Sequence, residues 1–453
     1  MTGRRFGTDG IRAPFGEPPL DRPTVTALAR ALAATLREGA GGQPAVVLGG
    51  DTRESTPALC RWLAAGLAAG GVETLYAGVV PTPGIAYLTR RRGAAAGVVV
   101  SASHNPYPDN GIKLIDGEGF KWSEEAEAAL EGRLEDWLGK EDGAAESPLA
   151  EDPSLREEYL AHLTETVPGA EPFAGLRVVL DAGHGATSFF ALAVFERLGA
   201  RVTLLHAAPD GRNVNAGCGS TEPGEMAARV AAEGADVGAA FDGDGDRCIL
   251  SDERGEVRDG DAVLYLWGTA LAARGDLLPP SVVATSMSNL GLERAFAREG
   301  IALVRCGVGD RLVVEKMRET GIRLGGEQSG HVVEMSLATT GDGLLTALQM
   351  ARLVREAGGN GGRPLSQLLA GFRRYPQVLL NVPVARKPDL ATLPRVAAAA
   401  RAVEERLGAD GRLVLRYSGT EPLARIMIEG PDQATVEALA GEIAGAIRDE
   451  LGA

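Results

Sequence analysis

The apolar positions of this chain fall into short runs separated by helical patterns, and the same order occurs three times. Pro44-Ala45-Val46-Val47-Leu48 has the unbroken apolar character of a buried strand. A Gly/Asp/Ser loop follows, then a helix with Leu59, Trp62, Leu63 and Leu67 on one face, then a strand centred on Val72 to Leu75. From Arg177 the order returns as strand Val178–Leu180, loop Asp181–Gly185, helix Phe189–Leu198 and strand Val202–Leu205. From Ser281 it returns again as strand Val282-Val283, loop Thr285–Asn289, helix Leu290–Arg298 and strand Ile301–Val304. Such alternation predicts β-α-β units and a largely parallel sheet in each copy.

Each copy then runs into a further strand ending in a polar loop. Gly97-Val98-Val99-Val100 enters Ser101-Ala102-Ser103-His104-Asn105-Pro106. Val237–Phe241 enters Asp242-Gly243-Asp244-Gly245-Asp246-Arg247, and Ile322-Arg323-Leu324 enters Gly325–His331. Ligands of open α/β sheets bind beyond the carboxyl ends of strands, so these loops are expected to meet in one cleft. Gly139–Pro153, rich in charge, Gly and Pro, predicts a linker. It lies between a helix capped by Ser123, with Ala126, Leu130, Leu134 and Trp137 on one face, and a helix carrying Leu155, Tyr159 and Leu163.

After Gly358–Gly362 the pattern changes to strand Tyr375–Val384, helix Pro394–Leu407, strands Arg412–Tyr417 and Ala424–Ile428, and a last helix from near Asp432. The expected fold is therefore α/β, with three similar mixed-sheet α/β domains and a smaller C-terminal α+β domain around a central cleft. The expected boundaries are 1–150, 151–254, 255–370 and 371–453.

Composition narrows the functional classes. The 46 basic and 61 acidic side chains give a net charge of -15, which leaves no basic surplus for nucleic acid. No apolar run reaches the ~18–20 residues of a membrane span. The opening Met1-Thr2-Gly3-Arg4-Arg5 lacks the apolar stretch of a secretion signal, so a cytoplasmic protein is expected. Cys60, Cys218, Cys248 and Cys306 are far apart, with no CxxC pair and no neighbouring histidine cluster, which predicts neither a zinc site nor disulfides.

Among the loops, Asp242, Asp244 and Asp246 alternate along a segment expected to be extended, so their carboxylates share a side. Three hard oxygen donors suit Mg²⁺, with Arg247 beside them for a phosphate. A calcium loop counted from Asp242 to Glu253 would need glycine where Arg247 stands. Ser101–Pro106 offers a serine beside His104, although alone it is first an ordinary Ser/Asn/Pro turn. Lys113 is the nearest cation downstream and, alone, a surface lysine. Gly325–His331 mixes donors and acceptors in the way sugar hydroxyls require. Arg416–Pro422 with Arg425 offers a phosphate nest, or a plain hairpin turn. A metal, a nucleophile, hydroxyl recognition and a phosphate clamp together point to phosphoryl transfer on a phosphorylated polyol.

These motifs, with Phe6-Gly7-Thr8-Asp9-Gly10-Ile11-Arg12, Asn213–Thr221 and Thr339–Gly343, resemble the α-D-phosphohexomutase superfamily over the whole chain, most closely its glucosamine-phosphate branch. The resemblance implies that Ser103 is the phosphorylated serine, with Mg²⁺ on Asp242, Asp244, Asp246 and the Ser103 phosphate. It implies Arg12, Lys113, Arg247 and His331 near the transferring group, with Lys113 or His331 as acid/base. Glu327 and Ser329 would bind the sugar's hydroxyls, and Arg416, Ser418, Gly419, Thr420 and Arg425 the phosphate that does not react. The implied reaction interconverts glucosamine-6-phosphate and glucosamine-1-phosphate through a bound 1,6-bisphosphate, for amino-sugar and cell-wall precursor synthesis. Glucosamine or glucose 1,6-bisphosphate would be the activator. Gln328 and the opening motif favour this branch over phosphomannomutase/phosphoglucomutase. A silent sugar-phosphate-binding regulator would be marked by loss of Ser103 or a metal aspartate, and all are present. The implied partner is a small phosphosugar, with neither nucleic acid nor membrane; a homodimer is left open.

Overall fold

The structure is a computed structural model and describes residues 5–7, 9–38, 42–140, 149–357, 362–418 and 421–452. Much of the expected linker, residues 141–148, and most of the glycine run, residues 358–361, lie outside the described residues.

The threefold pattern is a repeat of sheet topology. In the first sheet Ala45–Gly50 lies between the parallel strands Glu73–Val79 and Ala96–Val100. Asp109–Asp116 follows antiparallel, and Gly10–Pro14 and Phe6–Gly7 complete that edge. In the second, Arg177–Asp181 lies between the parallel strands Arg201–Leu205 and Val237–Phe241, followed by antiparallel Cys248–Asp252 and the edge strand Val257–Arg258. The third has the order Ala302–Cys306, Ser281–Thr285, Leu324–Gly326, Val332–Glu334, again with the last strand antiparallel. Each polar loop thus joins the third strand of a sheet to the antiparallel fourth. All five residues of Ala96–Val100 and all five of Val237–Phe241 are buried, as their apolar runs require. The helix Thr56–Ala69 buries Leu59, Leu63 and Leu67, a single stripe at helical spacing.

Two elements depart from expectation. In the third copy the strand is Leu324–Gly326, not Ile322–Leu324. A Cβ on Gly325 would stand 2.6 Å from the Met317 sulfur, and one on Gly326 2.6 Å from the His331 carbonyl oxygen. The glycines belong to the strand because neighbours press on its backbone. The helix expected over Phe189–Leu198 is a 3₁₀ turn, Ala186–Phe189, followed by a helix over Ala191–Arg197.

The chain forms two compact units, Met1–Met287 with Leu303–Leu369, and Ser288–Ala302 with Ala370–Ala453. In the second, Leu423–Glu429 pairs antiparallel with both Gln377–Pro383 and Arg412–Tyr417, and helices Pro394–Leu407 and Gln433–Leu451 complete the α+β arrangement. Asn289 caps the helix Leu290–Arg298 and donates to the Tyr375 carbonyl and to Glu429, each at 3.0 Å. Among the described residues no helix is long and apolar enough to cross a membrane.

Asp342 in the first unit is buried while accepting the Tyr159 hydroxyl at 2.8 Å and capping the helix Gly343–Glu356 through the Leu345 N–H at 3.0 Å. Burial, only partly offset by these bonds, pushes its carboxyl up to about 6. The native state therefore holds this proton more tightly than the unfolded chain. Stability from this group is present below the ordinary carboxylate value and is lost as pH rises to about 6. Asp342→Asn keeps the cap through Oδ1, while its Nδ2 can donate to the Tyr159 oxygen in place of accepting from it. Its unfolding free energy from urea titration should exceed wild type at pH 7.5, by a ceiling of about 3 kcal/mol, and converge with it near pH 4. A parallel loss at both pH values would contradict the assignment.

Candidate active site

The first unit brings the three polar loops together. Ser103 stands just past the strand Ala96–Val100 with its backbone in the left-handed region, φ 53°, and is buried. Its hydroxyl donates to Asp242 Oδ2 at 2.7 Å, its Oγ is 3.3 Å from His104 Nδ1, and its N–H donates to Ser101 Oγ at 2.8 Å. Burial, then the charges of Arg247 and Arg12, bring the His104 imidazole down to about 4, so it is neutral at physiological pH.

Asp242, Asp244 and Asp246 are almost fully buried, and they offer carboxylate oxygens within 4.8 Å of one another. They converge through a turn and not along the extended segment expected. Gly245 takes φ 69° and donates its N–H to the Asp242 carbonyl at 3.1 Å, which folds the backbone back on itself. Burial and the neighbouring Asp246 and Asp244 charges push the Asp242 carboxyl well up. Burial acts the same way on Asp244, but the Lys113 ammonium, with hydrogen bonds from Lys113 and Thr82, outweighs it and holds that carboxyl low. Asp244 Oδ1 and Asp246 Oδ1 accept no hydrogen bond although both are buried. Orphaned carboxylate oxygens in a buried acidic cluster fit a hard divalent cation.

Lys113 is buried, not the surface lysine that its segment alone predicted. Its Nζ lies 2.8 Å from Asp244, 2.9 Å from Asp9 and 3.7 Å from Asp246. Burial favours its neutral form, yet these carboxylates overcome that and raise its pKa well above the ordinary lysine range. Asp9 also pairs with Arg12 at 2.6 Å and with Lys121 at 2.6 Å, and Lys121 in turn bonds Asp310. Asp310 Oδ2 is 3.6 Å from His331 Nε2. An alternating chain of charges therefore runs from the acidic cluster to Asp310, beside the third loop. His331 Nε2 accepts the Gly341 N–H at 3.1 Å, which places the neutral ring's proton on Nδ1, and Nδ1 itself meets no protein partner.

Asp9, Arg12, His104, Arg247, Glu327 and His331 line a cavity of about 680 Å³, with Gln328 and Ser329 at its wall. Glu327 accepts the Gly309 N–H at 3.1 Å, and the Gln328 amide donates to Asp261 at 3.3 Å. The expected phosphate loop belongs to the second unit. There Arg416 is paired across the hairpin with Arg425, whose guanidinium donates to Glu421 at 2.7 Å. Ser418 is buried, and its carbonyl accepts from Lys387 at 2.6 Å. Gly419 and Thr420 lie outside the described residues.

Sequence reasoning missed Asp51 and Arg53, which lie just past the strand Ala45–Gly50. Arg53 is fully buried and donates to the carbonyls of Ser103, Asn105, Pro106 and Asp109 and to the Asp51 carboxylate. Asp51 also accepts the Ser101 hydroxyl at 2.6 Å. Their place at a strand's carboxyl end is the signal that flagged the other loops. Lys121, Asp310 and Asn215, whose amide donates to the Ser103 carbonyl at 3.0 Å, were missed as well.

The chain matches the phosphoglucomutase/phosphomannomutase family in four parts. These are alpha/beta/alpha domain I over residues 3–139, domain II over 157–255, domain III over 259–375 and the C-terminal domain over 379–446. It is 46% identical to the phosphoglucosamine mutase of Symbiobacterium thermophilum and 43% identical to that of Geobacillus kaustophilus, with 99% of each chain covered in both cases. Its fold resembles a phosphoglucomutase/phosphomannomutase family protein from Burkholderia thailandensis, at TM-score 0.79 and 24% identity over 99% of this chain and 98% of that one. It also resembles Aspergillus fumigatus N-acetylphosphoglucosamine mutase, solved with GlcNAc-6P and magnesium, at TM-score 0.62 and 17% identity over 98% and 96% of the two chains. With full-length identity far above what shared fold alone would give, the chain belongs to the phosphoglucosamine mutase family and is an enzyme of that phosphosugar-isomerising class.

Proposed function

We propose that the protein interconverts glucosamine-6-phosphate and glucosamine-1-phosphate, with Ser103 as the residue that carries the phosphoryl group. The observation that carries this reading is the Ser103 hydroxyl, held 2.7 Å from Asp242 within a buried acidic cluster and beside the cavity lined by Arg12, Arg247, Glu327 and His331. The full-length relatives supply the sugar.

In the forward direction a free hydroxyl of the sugar phosphate attacks the phosphorus of phosphorylated Ser103. The P–Oγ bond breaks and Ser103 Oγ takes up a proton. The 1,6-bisphosphate so formed turns over, and its other phosphoryl group returns to Ser103. A bisphosphate of glucosamine or glucose added from outside re-primes a serine that has lost its phosphate. Asp242, Asp244 and Asp246, joined by an oxygen of the Ser103 phosphate, would hold Mg²⁺, which when bound offsets the charge of the transferring group. Lys113, locked among carboxylates, acts as a fixed cation. His331, with its proton on Nδ1 and no protein partner there, is assigned as the proton donor. Arg12 and Arg247 bind phosphate, and Glu327 and Ser329 the sugar hydroxyls. Arg416, Ser418, Gly419, Thr420 and Arg425 are assigned the phosphate that does not react. In this reading residues 1–150, 151–254, 255–370 and 371–453 supply the serine, metal, sugar and phosphate loops in turn.

The test compares kcat/KM for glucosamine-6-phosphate, mannose-1-phosphate and glucose-1-phosphate with Mg²⁺ and a catalytic amount of hexose 1,6-bisphosphate. A preference for glucosamine phosphate of about tenfold or more, ~1.4 kcal/mol of differential transition-state binding, is expected. Preference for either neutral sugar would overturn the substrate assignment and leave the chemistry standing.

A further inference from the structure

We propose a second metal site, suited to Zn²⁺ and distinct from the acidic cluster, formed by Asp181, His206 and Cys218 in the second α/β domain. Asp181 ends the strand Arg177–Asp181, His206 follows the strand Arg201–Leu205, and Cys218 lies in the loop beyond Asn213. Cysteine spacing predicted no such site, because the three residues are far apart along the chain. Folding brings a carboxylate oxygen, a ring nitrogen and the thiol sulfur within 4.8 Å of one another. Tetrahedral donors at ~2.0–2.3 Å from one ion stand roughly 3.3–3.8 Å apart, the separation toward which these atoms would draw together on binding.

Asp181 and Cys218 are fully buried, and the His206 side chain keeps only 21% of its exposure. His206 Nδ1 lies 3.1 Å from Asp181 Oδ1 yet makes no hydrogen bond. A nitrogen and an oxygen this close, but not aligned for a proton between them, are arranged as two ligands of a shared cation are. The outer shell is also present. The other ring nitrogen, Nε2, lies 3.3 Å from Glu225, the carboxylate–histidine pairing that orients a metal-bound imidazole. The two Asp181 oxygens accept the Gly183 N–H at 2.9 Å and the Gly219 N–H at 3.0 Å, and each keeps a lone pair. Cation binding at the Cys218 sulfur would release the thiol proton to solvent.

The donors sort the two sites. Sulfur, imidazole and carboxylate select Zn²⁺, whereas Asp242, Asp244 and Asp246 offer only hard oxygen. With three protein donors the proposed ion would keep a fourth position for water and would tie the surrounding loops together. A Cβ on Gly183 would stand 2.8 Å, and one on Gly219 2.4 Å, from the Phe241 carbonyl oxygen, and Phe241 precedes Asp242. The Asp181–His206–Cys218 cluster therefore braces the loops packed behind the catalytic carboxylates.

The test is titration of the chelator-stripped full-length protein with Co²⁺ in excess Mg²⁺. One equivalent should produce a thiolate-to-cobalt charge-transfer band, which Zn²⁺ abolishes while raising Tm by several degrees. An all-oxygen site cannot give that band, so failure here is distinguishable from failure of the mutase reading. Cys218→Ser should remove the band. Glu225→Gln, at a half-exposed position that threatens no fold, should weaken Co²⁺ binding by about tenfold or more. No band in the wild type at saturating Co²⁺, a band that survives Cys218→Ser, or unchanged affinity in Glu225→Gln would each overturn the proposal.

Discussion

Ser103→Ala should lower kcat/KM by at least about 10⁴-fold, the scale on which loss of a covalent nucleophile is felt, while the protein remains folded. The fold should survive because most of what holds Ser103 is backbone. Its N–H donates to Ser101 Oγ, and its carbonyl accepts from Arg53 and Asn215, and alanine keeps all three bonds. What is lost is the hydroxyl bond to Asp242, a charge-assisted bond worth about 1.5–3 kcal/mol at most. Alanine is no better suited than serine to φ 53°, so no compensating gain is expected. The assay follows turnover with Mg²⁺ and hexose 1,6-bisphosphate, alongside Tm. Labelled bisphosphate should transfer one phosphoryl group to the wild type and none to the variant. Turnover within tenfold of wild type, or labelling at another residue, would remove Ser103 from the reaction. Release of inorganic phosphate in place of isomerisation would indicate a phosphatase.

The repeat was legible because strands buried on both faces must be written as unbroken apolar runs, as in Val237–Phe241. The carboxylate triplet was legible because glycines between aspartates have few uses beside an apolar strand. Its geometry was not, since a turn closed by Gly245 and an extended segment share one sequence pattern. Asp9 stood inside a recognised motif, yet its function as a hub depends on Lys121, far along the chain, and on Lys113. Asp310 bonds Lys121, which lies 189 residues earlier in the chain. Such pairs carry no local signature, because they are set by which loops the sheets deliver to one edge. Asp51-Thr52-Arg53 read as a mere loop for the same reason: the carbonyls that Arg53 binds are supplied by a segment some fifty residues on.

Arg53 leads to the second large expected effect. A guanidinium has five N–H donors, and here Nε meets Asp51 while the two Nη groups meet four carbonyls of the serine loop, at 2.5 to 2.9 Å. Arg53→Met would leave those carbonyls without a donor and the buried Asp51 without its cation, a loss of about 3–5 kcal/mol. Arg53→Lys keeps the charge but has three donors for five acceptors, so it should recover only part of that stability. The loop positions Ser103, and a shift of roughly 1 Å at a reacting atom is worth on the order of 10²-fold in rate. The lysine variant should therefore lose kcat by about that factor with KM changed little, because Arg53 is not itself among the residues lining the cavity. The double variant Asp51→Asn, Arg53→Met separates loop support from simple charge burial. It should regain stability over Arg53→Met, having removed the orphaned carboxylate, but should not regain kcat. If its kcat returned to wild type, or if Arg53→Lys kept both Tm and kcat, the five-bond clamp would not be what holds Ser103 in place.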